Sequence, residues 1–212
     1  MNNGIFITLE GSEGAGKTTA IEAIREWANS ADIELVVTRE PGGTAIAEQI
    51  RDLLLDKNNN EIVADTELLL MFAARAQHLQ ELIIPAIAQG KWIVCDRFTD
   101  ATYAYQGGGR GIDVDRIRQL ENWVQGDLRP DLTLLLDLPV DQGLARAGQR
   151  SEPDRFELEK VTFFERVRQA YLERAKQYPD QFRIIDASKS IEEVRDQIHQ
   201  ALNDCLHTLK LS

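Results

Sequence analysis

Short apolar runs alternate along the chain with longer stretches in which apolar residues recur at helical spacing. The short runs are rich in β-branched residues and predict five strands, at 5–10, 35–38, 92–96, 133–137 and 182–186. The amphipathic stretches predict helices, among them 113–124, 160–177 and 191–206. Strands that alternate with helices predict an α/β fold with a five-stranded parallel sheet and helices on both of its faces.

Polar residues stand at the end of each predicted strand. They are Glu10, Arg39, Asp96, Asp137 and Asp186, in chain order. Because the carboxyl ends of parallel strands meet at one edge of a sheet, ligands are expected to bind there. For Asp137 and Asp186 a role as helix cap or turn former is an equally good interpretation.

The first predicted strand is followed directly by a glycine-rich stretch, GSEGAGKTTA, at 11–20. This is the phosphate-binding loop pattern, in which small residues let backbone N–H groups point at a polyanion. Lys17 can reach the β- and γ-phosphates, and the Thr18 hydroxyl can bind Mg²⁺. An ordinary turn could match the bare pattern by chance, but the buried strand before it and the helical spacing at 19–27 favour a phosphate loop. The predicted triphosphate-binding residues are Gly11, Ser12, Glu13, Gly14, Ala15, Gly16, Lys17, Thr18 and Thr19.

Size and charge narrow the class of protein. A chain of 212 residues with 43% apolar composition is predicted to form a single domain, 1–212, with a small mobile subregion. The net charge of -11 disfavours binding to nucleic acid. Cys95 and Cys205 are too few and too differently placed for a disulfide framework or a zinc site, so buried, inert thiols are expected. Nowhere do 18 apolar residues follow one another, and we expect a cytoplasmic protein with no membrane association.

Sequence patterns of two common nucleotide-binding classes are missing. The Asn-Lys-x-Asp run of guanine-nucleotide switches does not occur, nor does the Leu-Ser-Gly-Gly-Gln signature of transporter ATPases. Phosphoryl transfer needs positive charge around the transferring group, and arginines recur in short motifs: Arg39, Arg75, Arg97, Arg110, Arg146, Arg150 and Arg155. A small-molecule kinase is therefore favoured over a switch or a transporter.

Four motifs together resemble one family of such kinases. They are the phosphate loop, TREPGGT at 38–44, DRF with AYQGGGRG between 96 and 111, and LARAGQRSEPDRFE at 144–157. In this order they are similar to bacterial thymidylate kinase over nearly the whole chain. The resemblance implies phosphorylation of dTMP to dTDP by ATP with Mg²⁺, a step toward dTTP. It also implies a nucleoside-monophosphate kinase fold, a P-loop NTPase fold with a small lid, and a homodimer.

The resemblance assigns roles around the acceptor phosphate. Arg39 and Arg97 correspond to arginines that hold this phosphate, for which the planar guanidinium is suited. Asp96, at a strand end, would steer Mg²⁺ or orient the reacting phosphates beside Thr18; a buried ion pair with Arg97 is its alternative. Glu13 corresponds to an acidic residue that meets the dTMP 3′-hydroxyl.

Base recognition is assigned in the same way. Arg75 would meet a thymine carbonyl oxygen. An aromatic ring usually stands four residues earlier, where this chain has Met71, so Phe72 is expected to stack on the base instead. Core packing is the alternative for both residues. Thr102 and Gln106 are candidates to read the thymine edge, while Tyr105 would fill the place of a ribose 2′-hydroxyl or be a partly buried aromatic.

The segment 141–157 is the expected lid. The loop residue before Gly16 is Ala15, so the catalytic positive charge is expected from lid arginines, as in one branch of the family. The candidates are Arg146, Arg150 and Arg155, with Arg150 favoured as the residue that bridges the transferred phosphoryl group. The residues at 186–187 are expected near the adenine. Kinases of other nucleoside monophosphates, and a nucleotide-dependent switch or binding module, are the competing hypotheses.

Overall fold

The structure, a computed structural model, describes residues 4–148 and 154–211. A five-stranded sheet lies at its centre in the order β2-β3-β1-β4-β5, and every neighbouring pair is parallel. The strands are β1 (Phe6–Glu10), β2 (Leu35–Arg39), β3 (Trp92–Asp96), β4 (Leu132–Asp137) and β5 (Phe182–Asp186). The predicted α/β sheet is confirmed, and the predicted strand ends differ from these by one residue at most.

The helices cover both faces of the sheet. They are α1 (Lys17–Ser30), α2 (Ala45–Leu55), α3 (Ala64–His78), α4 (Ile84–Ala88), α5 (Thr99–Thr102), α6 (Val114–Gln125), α7 (Val140–Ala147), α8 (Val161–Gln177) and α9 (Ile191–Leu211). Two π-helical segments extend this set: Leu79–Ile83 joins α3 to α4, and Tyr103–Gly109 continues α5. The three predicted helices are confirmed, although α9 runs on beyond its predicted end.

Alternation along the strands divides the core between the two faces. Ile7 and Leu9 of β1 pack with residues of α1 and α9, among them Ile24 and Leu202. Phe6, which points the other way, packs with Leu79 and Ile83 of the π-helical segment, among others. Each such buried side chain contributes about 1.5–3 kcal/mol of transfer free energy. With both faces covered, the carboxyl edge of the sheet is left for ligands.

Two of the acidic strand ends have structural partners. Asp137 accepts two hydrogen bonds from Arg168 of α8, at 2.7 and 2.9 Å. Asp186 accepts from the backbone N–H of Ser188 at 3.0 Å, which forms a tight turn after β5. The turn-forming interpretation therefore describes the contacts of Asp186, whereas Asp137 is paired with an arginine and serves in these contacts as neither a helix cap nor a turn former.

Both cysteines are free thiols; Cys95 is buried as expected, whereas Cys205 is only partly buried. Burial raises the pKa of each, so neither is activated as a thiolate. Within residues 4–148 and 154–211, no helix has the length and apolar character needed to cross a membrane.

Candidate active site

The phosphate loop leaves β1 at Gly11 and enters α1 at Lys17. Gly14 and Gly16 have φ angles of 71° and 93°, in the region that favours glycine. A Cβ added to Gly14 would lie only 1.9 Å from the carbonyl oxygen of Gly143 in α7. The loop thus packs backbone against backbone on α7, the helix that begins the expected lid segment 141–157.

Lys17 lies folded over this loop. Its Nζ donates to the carbonyl oxygens of Gly11 and Ser12, at 3.2 and 3.4 Å. Burial lowers the pKa of Lys17, and Arg97 adds to this effect, while Asp96 and Glu13 oppose it. Thr18 and Thr19 are exposed in the first turn of α1. A phosphate group that accepted from Lys17 would replace the two carbonyl contacts.

A cleft of about 240 Å³ opens beside the loop at the carboxyl edge of the sheet. Residues from the phosphate loop, the β2 to α2 loop, α2, α3, the segment after β3 and the start of the chain after 153 line it. They are Glu13, Glu40, Pro41, Arg51, Leu55, Met71, Arg75, Arg97, Phe98, Ala101, Thr102, Tyr105, Gln106, Asp154, Phe156 and Glu157. Four of these residues, Glu40, Arg75, Thr102 and Gln106, are both polar and buried. Buried polar side chains in the wall of a cleft are typical of a site that binds a specific polar ligand.

Arg75 forms one end of the cleft. Its Nε donates to Glu40 Oε2 at 2.7 Å, and one terminal nitrogen, Nη2, donates to Thr102 Oγ1 at 3.0 Å. The other terminal nitrogen, Nη1, is buried and has no hydrogen-bond partner in the described part of the chain. Buried donors are rarely left unpaired, so this nitrogen is open to an acceptor on a ligand. Gln106, also buried and in the cleft wall, donates to Glu67 Oε1 at 2.8 Å.

The structure corrects the expectation for Phe72. Its ring is 2% exposed and packs with Leu68, Tyr103 and Ile117, away from the cleft lining. Met71 lines the cleft instead. Successive helical residues point about 100° apart, and α6 covers the side of α3 to which Phe72 points. Phe72 still contacts the site indirectly, because the Arg75 guanidinium carbon lies 4.7 Å from its ring centroid.

Glu13, Arg97 and Tyr105 form a hydrogen-bonded triangle in the cleft wall. Glu13 Oε1 accepts from Arg97 at 2.7 Å and from the Tyr105 hydroxyl at 2.9 Å. Burial by itself would raise the pKa of Glu13, but Arg97 and Lys17 outweigh it and lower this pKa to about 2. Burial raises the pKa of Tyr105. Glu13 is thus a carboxylate and Tyr105 a neutral phenol at neutral pH.

Arginines gather near Arg97. Arg51 of α2 donates to the carbonyl oxygen of Pro41 at 2.9 Å, and burial together with the charges of Arg39 and Arg97 lowers its pKa. Arg39 is half exposed and paired with Glu48 at 2.8 Å. Arg97 and Arg39 thus have carboxylate partners, in Glu13 and Glu48, whereas Arg51 donates to a carbonyl oxygen. The planar guanidinium group is suited to hold a small dianion such as a phosphate.

Asp96 stands between the phosphate loop and the arginines. Its carboxylate contributes to the electrostatic environment of both Lys17 and Arg51. One oxygen, Oδ1, is buried without a hydrogen-bond partner in the described residues. The alternative of a structural ion pair between Asp96 and Arg97 is not observed in this part of the chain, where Arg97 pairs with Glu13 instead. An unpaired buried carboxylate oxygen is suited to a cation or a proton donor on a ligand.

Comparison with known proteins decides the family. The sequence model described as Thymidylate kinase matches residues 9–198. The thymidylate kinase of Ectopseudomonas mendocina is 58% identical over 207 residues, which cover 98% of this chain and 99% of that protein. The chain belongs to the thymidylate kinase family. A thymidylate kinase of Pseudomonas putida strain F1 is 57% identical over 94% of this chain and 95% of its own length.

A solved structure agrees with this assignment. The crystal structure of thymidylate kinase from Ehrlichia chaffeensis superposes with a TM-score of 0.76 at 33% identity, covering 95% of this chain and 99% of that one. Thymidylate kinases use ATP to phosphorylate dTMP to dTDP, and the chain is a phosphotransferase of this family with the P-loop fold of nucleoside-monophosphate kinases.

Two of the three arginines expected in the lid lie in the described residues, and they have different contacts. Arg146, in α7, donates to the carbonyl oxygen of Ala187 at 3.1 Å, which brings it to the residues expected near the adenine. Arg150 lies outside the described residues. Arg155 is 8% exposed; it donates to Leu54 O and to Glu67 Oε2, both at 2.7 Å. The expectation that Arg155 serves as a free lid arginine is therefore corrected: in this structure it is one half of a buried ion pair.

Arg51 lines the cleft although none of the sequence motifs pointed to it. It lies in α2, seven residues after Thr44, outside the TREPGGT motif that pointed to Arg39. The sequence did contain a clue to this residue. An arginine on the first helix after a strand-end loop can place its side chain back against that loop. Its contact with Pro41 shows this return.

Proposed function

We propose that the cleft beside the phosphate loop binds dTMP, with the thymine at Arg75 and the phosphate among Arg39, Arg51 and Arg97. One observation carries this assignment: the only fully buried guanidinium nitrogen without a hydrogen-bond partner in the described residues belongs to Arg75, in the cleft wall. A keto oxygen would accept from this nitrogen, whereas an exocyclic amino group could not. Met71 would then lie against the base as an adaptable apolar wall.

The sugar is proposed to lie at the triangle of Glu13, Arg97 and Tyr105. Ionised Glu13 can accept a hydrogen bond from the 3′-hydroxyl. The Tyr105 ring supports a preference for deoxyribose because it stands in the cleft wall with its hydroxyl already committed to Glu13. Thr102 and Gln106 would complete the contacts with the base edge.

On the donor side, ATP is proposed to bind the loop residues 11–19. Lys17 would exchange its carbonyl contacts for phosphate oxygens, and the N-terminus of α1 adds its partial positive charge. Arg146 would act near the adenine of ATP, beside Ala187. Arg150, in the proposed lid 141–157, would reach the transferred phosphoryl group when the lid closes.

Mg²⁺ is proposed as the cofactor. The described residues contain no cluster of three or more His, Cys, Asp or Glu side chains that could bind a metal alone, so the ion would need ATP phosphates as ligands. The exposed Thr18 hydroxyl and the unpaired Asp96 oxygen fit such a site as oxygen donors. When bound, the ion would neutralise charge that develops on the phosphates.

A homodimer is proposed through the exposed sides of α3 and α6. Asp65 and Arg116 pair across these helices at 2.9 Å, and the apolar Leu69 and Trp123 are one and two helical turns further along the same faces. Trp123 is 82% exposed and Leu69 56%. Sedimentation velocity should give a dimer for the wild type and a monomer for Trp123→Asp.

We further propose that the enzyme acts in the cytoplasm and has no nucleic-acid partner, in line with its charge.

A test of the acceptor assignment is ADP release from ATP and Mg²⁺ with dTMP, dUMP, TMP with a ribose, dCMP, dGMP and AMP in turn. We expect strong turnover with dTMP, weaker turnover with dUMP, and little with the others. Strong turnover with dCMP would contradict the role of Arg75, because cytosine presents an amino group at the position of the carbonyl oxygen. Turnover on ribose-containing TMP equal to dTMP would contradict the role of Tyr105.

A further inference from the structure

A line of buried polar side chains runs behind Arg75 to the end of β2. Thr38 Oγ1 lies 2.7 Å from His78 Nε2, His78 Nδ1 lies 3.0 Å from Glu40 Oε1, and Glu40 Oε2 accepts from Arg75 Nε at 2.7 Å. The side chains of His78, Glu40 and Arg75 are at most 3% exposed. None of the motif assignments gives His78, Glu40 or Thr38 a role.

The carboxylate of Glu40 fixes the direction of two of these contacts. Its oxygens can only accept, one from Arg75 and the other from His78 Nδ1–H. At the far side of the ring, the Thr38 hydroxyl can serve His78 Nε2 as either donor or acceptor. Each of the three contacts thus joins a donor to an acceptor, and a buried network of this kind holds its members in one orientation.

The loop between β2 and α2 closes over this line. A Cβ added to Gly43 would lie 2.5 Å from both His78 Nε2 and Thr38 Oγ1. The backbone therefore passes directly over the hydrogen bond between them and leaves no room for a side chain. A network shielded in this way is electrostatically stronger than one in contact with water.

The Arg75 guanidinium is held from four sides. Glu40 and Thr102 take two of its nitrogens, and its central carbon lies 4.7 and 5.0 Å from the ring centroids of Phe72 and Phe98. Rotation of the guanidinium group out of this position would break its hydrogen bonds to Glu40 and Thr102. The remaining nitrogen, Nη1, therefore has a fixed position in the cleft before any ligand arrives.

We propose that Glu40 and His78 are positioning residues that fix the base-reading nitrogen of Arg75, and so contribute to the preference for a keto base over an amino base. This inference rests on the proposed role of Arg75 as a thymine reader. Preorganisation of a donor lowers the cost of ordering it in the complex, so its loss should appear in acceptor binding and base selectivity rather than in phosphoryl transfer.

The experiment compares two substitutions of His78, each of which places an amide group near one of the two ring nitrogens. Asparagine places a donor near the position of Nδ1 and can still reach Glu40, whereas glutamine places its amide near Nε2 and reaches Thr38. We expect His78→Gln and Glu40→Gln to raise the dTMP KM about tenfold and to lower the dTMP to dCMP ratio of kcat/KM by a similar factor. His78→Asn should stay within about threefold of wild type, and kcat and the ATP KM should change little in all three variants.

Controls separate this inference from the assignment on which it rests. Arg75→Ala should lose dTMP binding and selectivity; if it does not, the role of Arg75 itself is wrong. If Arg75→Ala has that effect while folded Glu40→Gln and His78→Gln leave the dTMP KM and the base ratio unchanged, the inference alone is overturned. Equal losses in His78→Asn and His78→Gln would also overturn it. His199→Asn is the matched histidine control and should behave as wild type, because the ring nitrogen Nε2 of His199 meets the Ala23 carbonyl oxygen, at 2.9 Å, and not the cleft.

Discussion

The donor and acceptor halves of the active site are built in different ways. The phosphate loop is a single run of eight residues, 11–18, in which backbone N–H groups and one buried lysine are proposed to hold the phosphates. The acceptor cleft draws side chains from α2, α3, the segment after β3 and the chain after 153. Many of these side chains are buried, charged and paired with one another.

The difference has consequences for both function and sequence interpretation. A site made of backbone depends on glycines and on the fold. Few of its side chains are expected to have a specific function, and Lys17 is the main one. A site made of buried ion pairs depends on each partner, because a partner left alone in the interior is strongly unfavourable. Substitutions should therefore affect kcat most in the donor half, and affinity, selectivity or stability most in the acceptor half.

The strongest expected effect is at Lys17. Lys17→Met keeps the length of the side chain but removes the one cation of the phosphate loop, so stabilisation of charge on the transferred phosphoryl group is lost. We expect kcat to fall about 10³-fold, which is about 4 kcal/mol in the activation free energy. The dTMP KM should change little. Steady-state kinetics with varied ATP and dTMP measure both.

Arg51→Met is the matched variant in the acceptor half. It removes one positive charge from the proposed phosphate end of the cleft, where Arg97 remains in the lining. The dTMP KM should rise about tenfold, with a smaller change in kcat. A loss of kcat as large as that of Lys17→Met would contradict the contrast between the two halves.

The largest expected change in stability concerns Arg155, which the motif placed in the lid and the structure places in a buried pair with Glu67. Arg155→Leu leaves Glu67 with Arg110 as its remaining cationic partner and removes a bond to Leu54 O. We expect the free energy of unfolding to fall by about 3 kcal/mol and kcat to stay within about threefold of wild type. Urea denaturation and kinetics on the same preparation give the two numbers.

The reverse pattern would favour the lid role. If Arg155→Leu retains wild-type stability and loses kcat by two orders of magnitude, the ion pair must open during catalysis to supply a catalytic arginine. Glu67→Gln tests the same pair from the other side. In a double variant the two losses of stability should be less than additive, because both remove one interaction.

The fold was predictable because its signals are local. Each buried parallel strand is a short apolar run, and each strand end is marked by a polar residue, so sheet content and strand limits follow from periodicity. The sheet order β2-β3-β1-β4-β5 has no such local signal, since strand pairing depends on contacts between distant segments. The π-helical segments at Leu79–Ile83 and Tyr103–Gly109 were also missed. A π-helical hydrogen bond spans one residue more than an α-helical one, and this small difference has no clear sequence pattern.

The site was predictable to the level of motifs but not of side-chain direction. Motifs identified Arg75, Arg97 and Glu13, all of which line the cleft. They could not decide between Met71 and Phe72, because the run LLLMFAA is apolar on every side and only the position of α6 shows which side is covered. Nor could they show that Arg155 has a carboxylate partner 88 residues away.

The smallest expected change in stability tests what supports the phosphate loop. Glu10 ends β1 immediately before the loop; its oxygens accept from the Phe98 N–H and the Tyr171 hydroxyl, both at 2.8 Å, so it ties the donor half to the acceptor half. Burial, with a contribution from Asp100, raises the pKa of Glu10 from 4.5 to about 8.

The folded protein therefore holds this proton at pH values at which the unfolded chain has released it. The contribution to stability is fully present below about pH 4.5 and is lost as the pH rises toward 8. Glu10→Gln cannot ionise and keeps an acceptor oxygen, so the wild type should lose on the order of 2 kcal/mol relative to this variant between pH 6 and pH 8. Urea denaturation at half-unit intervals of pH measures the difference. Parallel curves would mean that Glu10 is ionised in the fold, and the two halves of the site would then be joined by a buried carboxylate rather than by a neutral acid.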